Sequence, residues 1–217
     1  SAAESVAVAE AILLMKLTGV SLHLCRISCR ESLMIIRNAQ EAGLPVTADV
    51  AIHQLFFDEN SIDNFNSDYH VMPPFRANED LVSLQKEVSS ETITAICSDH
   101  QPHNEDARQA PFENTQPGIS SIEILLPLLM ELVDMEILDL NTAIEKVTSN
   151  PSNILGIDSG KIAKGYAADL CILRKEEWTF DETKIQSAGK NNPFVGKKFS
   201  TLIDKTICNG KVVYEKK

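Results

Sequence analysis

The sequence predicts an α/β fold, a parallel sheet carried by helices, with a small β module on its C-terminal side. Three observations predict it. Helical and strand-like segments alternate from residue 3 to residue 147, the pattern of parallel strands joined by crossover helices. The strand-like segments are apolar nearly throughout, as expected when both faces of a sheet are covered. After Gly156 the texture changes to strand-like runs with no helical segment needed between them.

Each element follows from its residues. Residues 3–17 are rich in Ala, Glu, Leu and Met, hold no Pro or Gly, and repeat apolar side chains at helical spacing, so a helix ends before Gly19. Residues 21–28 read as a strand, with Leu22, Leu24 and Ile27 apolar and His23 and Arg26 polar. Residues 31–42 form a second helix, stopped by Gly43 and Pro45, and residues 46–52 a second strand. A loop rich in Asp, Asn and Ser covers 58–68, and a short helix runs from Asn78 or Glu79 to Val88. Residues 92–97 are a continuous apolar strand leading into Ser98-Asp99-His100. A polar, Pro-containing loop over 104–118 precedes apolar helices at 120–133 and 141–147. Residues 160–173 have β character broken at Gly165, and residues 201–214 read as two strands turning at Asn209-Gly210, a strong hairpin dipeptide. A boundary near residue 158 therefore separates an α/β domain, residues 1–158, from a β segment, residues 159–217. Met130 and Met135 are expected in the core, Trp178 is expected to pack in the β segment, and Lys197-Lys198 and Lys216-Lys217 read as solvated charge.

Composition narrows the function. A hydrophobic fraction of 43% over 217 residues supports a substantial core. A net charge of −11 repels phosphate backbones and argues against nucleic-acid binding. No apolar run reaches the roughly 18–20 residues that span a bilayer. Residues 1–10 hold two Glu and no basic residue, unlike a secretory signal, so a cytoplasmic protein is expected. The five cysteines are odd in number and most sit in apolar runs, which reads as buried free thiols in a reducing compartment. Cys25 and Cys29 are spaced C-x-x-x-C without a second pair facing them, so no zinc knot is expected there.

The informative chemistry is Ser98-Asp99-His100-Gln101-Pro102-His103, just past an apolar strand. In α/β barrels the active site lies at the C-terminal ends of the strands. An Asp there, followed by two His within four residues, can ligate a metal or act as a base; taken alone it is equally a capping Asp with two solvated His. The other two strands end in polar residues as well, with Arg26 after the first and His53-Gln54 after the second.

Several stretches together resemble one family. Gly43-Leu44-Pro45-Val46-Thr47-Ala48-Asp49-Val50, followed by His53, is similar to G-[LI]-x-V-T-A-E-V-T-P-H-H. Met72-Pro73-Pro74-Phe75-Arg76 is similar to N-P-P-L-R, and Ser98 to His103 to T-D-H-A-P-H. Pro117-Gly118-Ile119, Glu123 and Pro127-Leu128-Leu129 match F-G-I-x-G-x-E-x-x-x-P-L-L. Gly160-Lys161-Ile162 with Gly165 to Leu170, and Lys190-Asn191-Asn192-Pro193-Phe194-Val195-Gly196, match G-x-I-x-x-G-x-x-A-D-L and K-N-T-P-F-x-G. The family is class I dihydroorotase of the amidohydrolase superfamily.

The resemblance implies a distorted (β/α)8 barrel of the TIM type with a small β-sandwich, closing carbamoyl aspartate reversibly to dihydroorotate in pyrimidine biosynthesis. It implies zinc held by an H-x-H on the first strand, an acidic or modified Lys residue on the fourth, a His on each of the fifth and sixth, and an Asp on the eighth. Motif order makes residues 22–27, 46–50 and 92–97 resemble strands six to eight, so the chain resembles a C-terminal half, a partial barrel. No H-x-H occurs in its 217 residues. By resemblance Asp99 is the proton shuttle and a metal-ligand position, His103 contacts substrate and Gly118 belongs to the substrate-binding loop.

Departures from the pattern cluster at the metal. Arg26 occupies the strand-six ligand position, and a guanidinium has no lone pair to give zinc. Beside Asp99 it would replace the metal's charge with an ion pair. Met72 replaces the substrate-binding Asn and Gln54 the second His of the H-H pair, while His23 reads as structural. The expectation is a pseudoenzyme with a degenerate zinc site and no cofactor, whereas active members carry zinc. Some lineages pair such chains with aspartate transcarbamoylase, which makes a non-catalytic subunit the preferred reading. The alternatives are an active zinc dihydroorotase when full length, with Asp99 as base, and another amidohydrolase such as a hydantoinase or allantoinase. The edge at residues 22–27 is expected to pair with a missing N-terminal half or with a second copy.

Overall fold

The computed structural model describes residues 1–216; Lys217, half of the expected Lys216-Lys217 pair, lies outside the described residues. The chain divides into two compact units, Ser1–Ile122 with Ser187–Pro193, and Glu123–Gln186 with the residues from Phe194 onward.

The first unit is a parallel α/β layer. Helix α1 (Ala2–Thr18) ends at Gly19, which takes a left-handed φ of 72° and returns its N–H to Met15. Val8, Ile12 and Met15 are buried at helical spacing along one side of α1. Strand β1 (Leu22–Leu24), helix α2 (Arg30–Glu41), strand β2 (Val46–Ala51), helix α3 (Asn78–Glu87) and strand β3 (Ala95–Cys97) follow. The sheet order is β1-β2-β3, all parallel, with Leu22 opposite Val46 and Asp49 opposite Ala95. Val46, Ala48, Val50 and Ala51 of the central strand are buried, and α2 buries Leu33, Ile36 and Ala39. Both patterns are those of a covered parallel sheet.

The first strand is shorter than its residue pattern suggests. The regular pairing ends at Leu24 because Arg26 adopts φ 58° and gives its backbone N–H to the Asp49 carboxylate at 2.8 Å, while Ile27 N–H still reaches Asp49 O at 2.9 Å. The third strand is also trimmed, to three residues. Behind β1 the Glu4 carboxylate fastens α1 to the turn, accepting the backbone N–H groups of Ser28 (3.0 Å) and Cys29 (3.2 Å) and pairing with Arg76 at 3.3 Å.

The second unit carries helices α4 (Leu125–Asp134), α5 (Leu140–Val147) and α6 (Ser149–Leu155), then strands β4 (Leu170–Thr179), β5 (Lys198–Cys208) and β6 (Lys211–Glu215). Its sheet is antiparallel in the order β4-β5-β6. The β5–β6 turn uses Asn209 and Gly210 at φ 48° and 75°, the conformation that favours this dipeptide in a tight hairpin. Trp178 donates its indole N–H to Thr201 O at 2.8 Å and packs on Phe180 and Phe199.

Four expectations need correction. The helix expected from residue 120 starts at Leu125, after a 3-10 turn over Ile122–Ile124. Residues 157–169 carry no strand, so the β character begins at Leu170. Met130 is buried but Met135, just past the end of α4, is 50% exposed. The cysteines are free as expected, yet Cys25, Cys171 and Cys208 are exposed. No described helix is long and apolar enough to cross a membrane.

Candidate functional site

The sharp turns that end β1 and β3 bring Arg26 and Asp99 together, both at positive φ (58° and 47°). Such backbone costs of the order of 1 kcal/mol or more in non-glycine residues and tends to be retained where a side chain must be aimed. Arg26 Nη1 donates to Asp99 Oδ1 at 3.1 Å and reaches Met72 O at 3.4 Å. Gln101 Nε2 donates to the same Asp99 oxygen at 2.9 Å. Asp99 has a side-chain exposure of 9%, against 41% for Arg26, so the carboxylate is the desolvated member of the pair. Removing its partner leaves a nearly buried charge on one strong donor. Arg26→Met is therefore expected to cost about 1–3 kcal/mol in chemical denaturation. The double variant with Asp99→Asn should recover part of that loss, and strict additivity of the two single changes would show that the pair contributes nothing.

His53, in the 3-10 turn after β2, completes the cluster. It is 1% exposed, its Nε2 lies 4.0 Å from Asp99 Oδ2, and neither ring nitrogen has a hydrogen-bond partner. The ring stands edge-on to Phe75. Burial pushes its pKa down to about 4 against the pull of Asp99, with Arg26 adding to the depression, so the imidazole is neutral near pH 7. Unfolded, the same side chain titrates near 6.5, so below that pH the unfolded state binds the extra proton. Stability is then lost as pH falls from about 6.5 toward 4, by about 2 kcal/mol at pH 5. His70, also lowered by burial, acts in the same direction. Denaturant unfolding at pH 7.5 and pH 5 checks this, with His53→Leu expected to flatten most of the difference.

A second group of residues adjoins through Gln101. The Asn191 side chain accepts the backbone N–H of His103 at 2.7 Å and donates to Gln101 O (3.0 Å) and Gly118 O (2.8 Å). His103 Nε2 lies 3.0 Å from Pro117 O, and the backbone of Gly118 donates to His70 O at 2.8 Å. Gly118 sits at φ 147°, and a Cβ there would lie 2.4 Å from Gln101 Cβ and 3.0 Å from His103 Nε2. A glycine is required at this close approach. His100 turns away from this group. Its Nδ1 accepts the backbone N–H groups of Ser121 (3.0 Å) and Ile122 (3.1 Å) and Nε2 faces Ser187 at 3.3 Å, a structural staple.

The structure thus brings Asp99, Arg26 and His53 into one cluster and His103 with Gly118 into an adjoining one. Gln54 and Asn191 serve as braces: Gln54 Nε2 holds Pro73 O at 2.8 Å, and Asn191 spans three backbone groups. Asn191 was visible in the sequence only as one polar residue of a matching motif. Asp49 supports Arg26 from below, accepting its backbone N–H and the Cys97 thiol at 3.3 Å and facing His23 Nε2 at 2.9 Å. Burial and the Asp49 charge push the Cys97 thiol far above its ordinary pKa, so it remains a donor.

Among the described residues, only part of a catalytic zinc ligand set stands at Asp99. Such a site takes three protein ligands with lone pairs. Here the donors are Asp99 and His53, and a guanidinium already neutralises the carboxylate.

Comparison with known proteins agrees with an α/β fold of the amidohydrolase kind. A dihydroorotase-like protein of Pseudomonas putida is 43% identical, covering 96% of this chain and 50% of its own length. A dihydroorotase-like protein of Pseudomonas aeruginosa is 38% identical over 98% of this chain and 50% of its own. A dihydroorotase of Geotalea daltonii is 36% identical over 99% and 51%. Among solved structures, a D-hydantoinase superposes with a TM-score of 0.89 at 22% identity, covering 98% of this chain and 49% of that one. An L-hydantoinase from Arthrobacter aurescens gives 0.89 at 24%, covering 98% and 49%. At those identities the superpositions speak for the fold alone. The chain spans about half the length of the curated relatives it matches. The amidohydrolase family profile, however, matches residues 1–213 without relying on any single relative, and the chain belongs to the amidohydrolase family.

Proposed function

We propose that this chain is part of a dihydroorotase-like protein of pyrimidine biosynthesis that does not turn over substrate and acts as a subunit associated with aspartate transcarbamoylase. One observation carries the reading. Where the family resemblance calls for a metal-ligating His, Arg26 extends its guanidinium to Asp99 at 3.1 Å. The carboxylate that would hold metal and shuttle a proton is occupied by a permanent cation. Met72, in place of an amide, offers no equivalent donors to a substrate, and its side chain is exposed. The residues retained, His103 and Gly118, are held in a braced backbone that persists without catalysis.

The chain also presents surface that suits coverage. Leu13, Leu14 and Leu17 on α1 are 60%, 54% and 83% exposed, and β1 is an edge strand. We assign that face to a complementary half of the fold or a second copy of this chain. The test is turnover of carbamoyl aspartate and of dihydroorotate by the full-length protein, together with co-purification of aspartate transcarbamoylase. The expected result is no turnover in either direction and a stable complex. Turnover that disappears in Asp99→Asn would overturn the non-catalytic reading, and transcarbamoylase that elutes separately would overturn the association.

A further inference from the structure

The donors that could bind a metal among the described residues lie beside the Arg26–Asp99 pair, away from the ligand positions that the family resemblance implies. A ring nitrogen of His23, Cys25 Sγ and a carboxylate oxygen of Asp49 all lie within 4.8 Å of one another, the one such group of three or more among the described residues. We propose that His23, Cys25 and Asp49 bind one divalent transition-metal ion of the Zn2+ class, with its fourth position open to solvent. The proposal is independent of whether the chain is catalytic.

The donor set is right for that class. Imidazole nitrogen, thiolate sulfur and carboxylate oxygen are the three zinc ligands, and thiolate disfavours Mg2+ and Ca2+. A tetrahedral ion sets its ligand atoms roughly 3–4 Å apart. His23 Nε2 and Asp49 Oδ2 stand at 2.9 Å, and the widest separation in the group is bounded at 4.8 Å. Opening the His23–Asp49 contact by a few tenths of an ångström and closing the widest separation by about 1 Å, the reach of one side-chain rotation at Cys25, bring all three to one ion. Cys25 is exposed and has left the ladder after β1, so its side chain has room to swing and the ion has an entry path.

A further observation concerns orientation. His23 Nδ1 is 2.8 Å from Thr47 Oγ1, and that hydroxyl also reaches Leu22 O at 3.5 Å. Without metal the 2.9 Å contact is Nε2–H donating to Asp49 Oδ2; with Nδ1–H donating to Thr47 instead, the Nε2 lone pair is free to ligate an ion that Asp49 also holds. Fixing one ring nitrogen by an outer hydrogen bond so that the other can ligate is the usual arrangement around a metal-bound histidine. Asp49 Oδ1 is engaged by Arg26 N–H at 2.8 Å and Cys97 at 3.3 Å, which leaves Oδ2 as the ligating oxygen. Binding would displace the Cys25 proton, and the ion would rest on the carboxylate that sets the Arg26 backbone turn. Metal occupancy would then steady the guanidinium facing Asp99.

The test uses the full chain, reduced and freed of metal with a chelator, titrated with Co2+ and then with Zn2+. One equivalent of Co2+ is expected to bind with a thiolate-to-cobalt charge-transfer band, and Zn2+ to abolish the band by displacement. Cys25→Ser should remove the band. His23→Gln should weaken Zn2+ by about tenfold or more, and Thr47→Val by about tenfold through lost orientation. Asp99→Asn should leave binding unchanged. A thermal melt without metal verifies that each variant is folded. No band in the unsubstituted chain, a band surviving in Cys25→Ser, or binding abolished by Asp99→Asn each overturns the proposal. The last of these would place the ion at the family position instead.

Discussion

Asn191→Asp is expected to lower stability by at least about 3 kcal/mol at neutral pH, although it changes only one atom type. The side chain is 1% exposed, and its three partners are all backbone groups: the His103 N–H, Gln101 O and Gly118 O. Only a primary amide presents one acceptor and two donors in that order. A carboxylate would still accept from His103 but would set an oxygen against two carbonyl oxygens. Ionised, it leaves both carbonyls unsatisfied; protonated, its single O–H can reach only one of them, and each carbonyl left costs about 1–3 kcal/mol. Asn191→Leu removes the charge problem yet orphans the same three groups, so a loss of similar order is expected. Urea unfolding at pH 7.5 measures both. A loss below about 1 kcal/mol in either variant would mean that the brace is not formed. Because Asn191 holds the backbone at 101, 103 and 118, hydrogen exchange should rise there first, before the sheet is affected.

The framework was readable from the sequence, and the site was readable only in part. The three parallel strands lie where alternation and apolar runs put them, since a strand buried on both faces must be apolar and must end in turn residues. Their lengths were not readable. Arg26 falls on the face of apolar Leu22 and Leu24 and so breaks their alternation, but nothing local tells that its N–H goes to a carboxylate 23 positions away. Helix α6 was missed because Asn150-Pro151 looks like a break. Pro151 sits in the first turn, where its missing N–H has no helical partner to lose. The Arg26–Asp99 contact, 73 residues apart, was inferable once both were assigned to strand ends of one sheet. The burial of His53 with both nitrogens unpaired was not, because sequence marks a histidine without marking its solvent. The Asn191 brace was hidden for the opposite reason. A polar residue between Lys190 and Pro193 reads as surface, and only packing shows that residues 187–193 join the first unit.

That packing makes Gly189→Ala the sharpest test of the site's scaffold. A Cβ at Gly189 would lie 2.3 Å from His103 N, 2.5 Å from His103 O and 2.6 Å from Pro102 C. All three are backbone atoms, so no flexible side chain can move aside. The segment carrying Asn191 must lift away from residues 102–103, and the amide loses its reach to His103. Overpacking alone costs about 1–3 kcal/mol, and the bond that goes with it adds about 1 kcal/mol more. The expected loss is about 3 kcal/mol in chemical denaturation. The double variant Gly189→Ala, Asn191→Leu should cost clearly less than the sum of the single changes, because both break the same docking. Full additivity would separate the two effects and leave residues 187–193 as a passive connection. Sub-additivity would instead mean that Asn191 and Gly189 hold His103 and Gly118 in place as one unit, without reference to any metal.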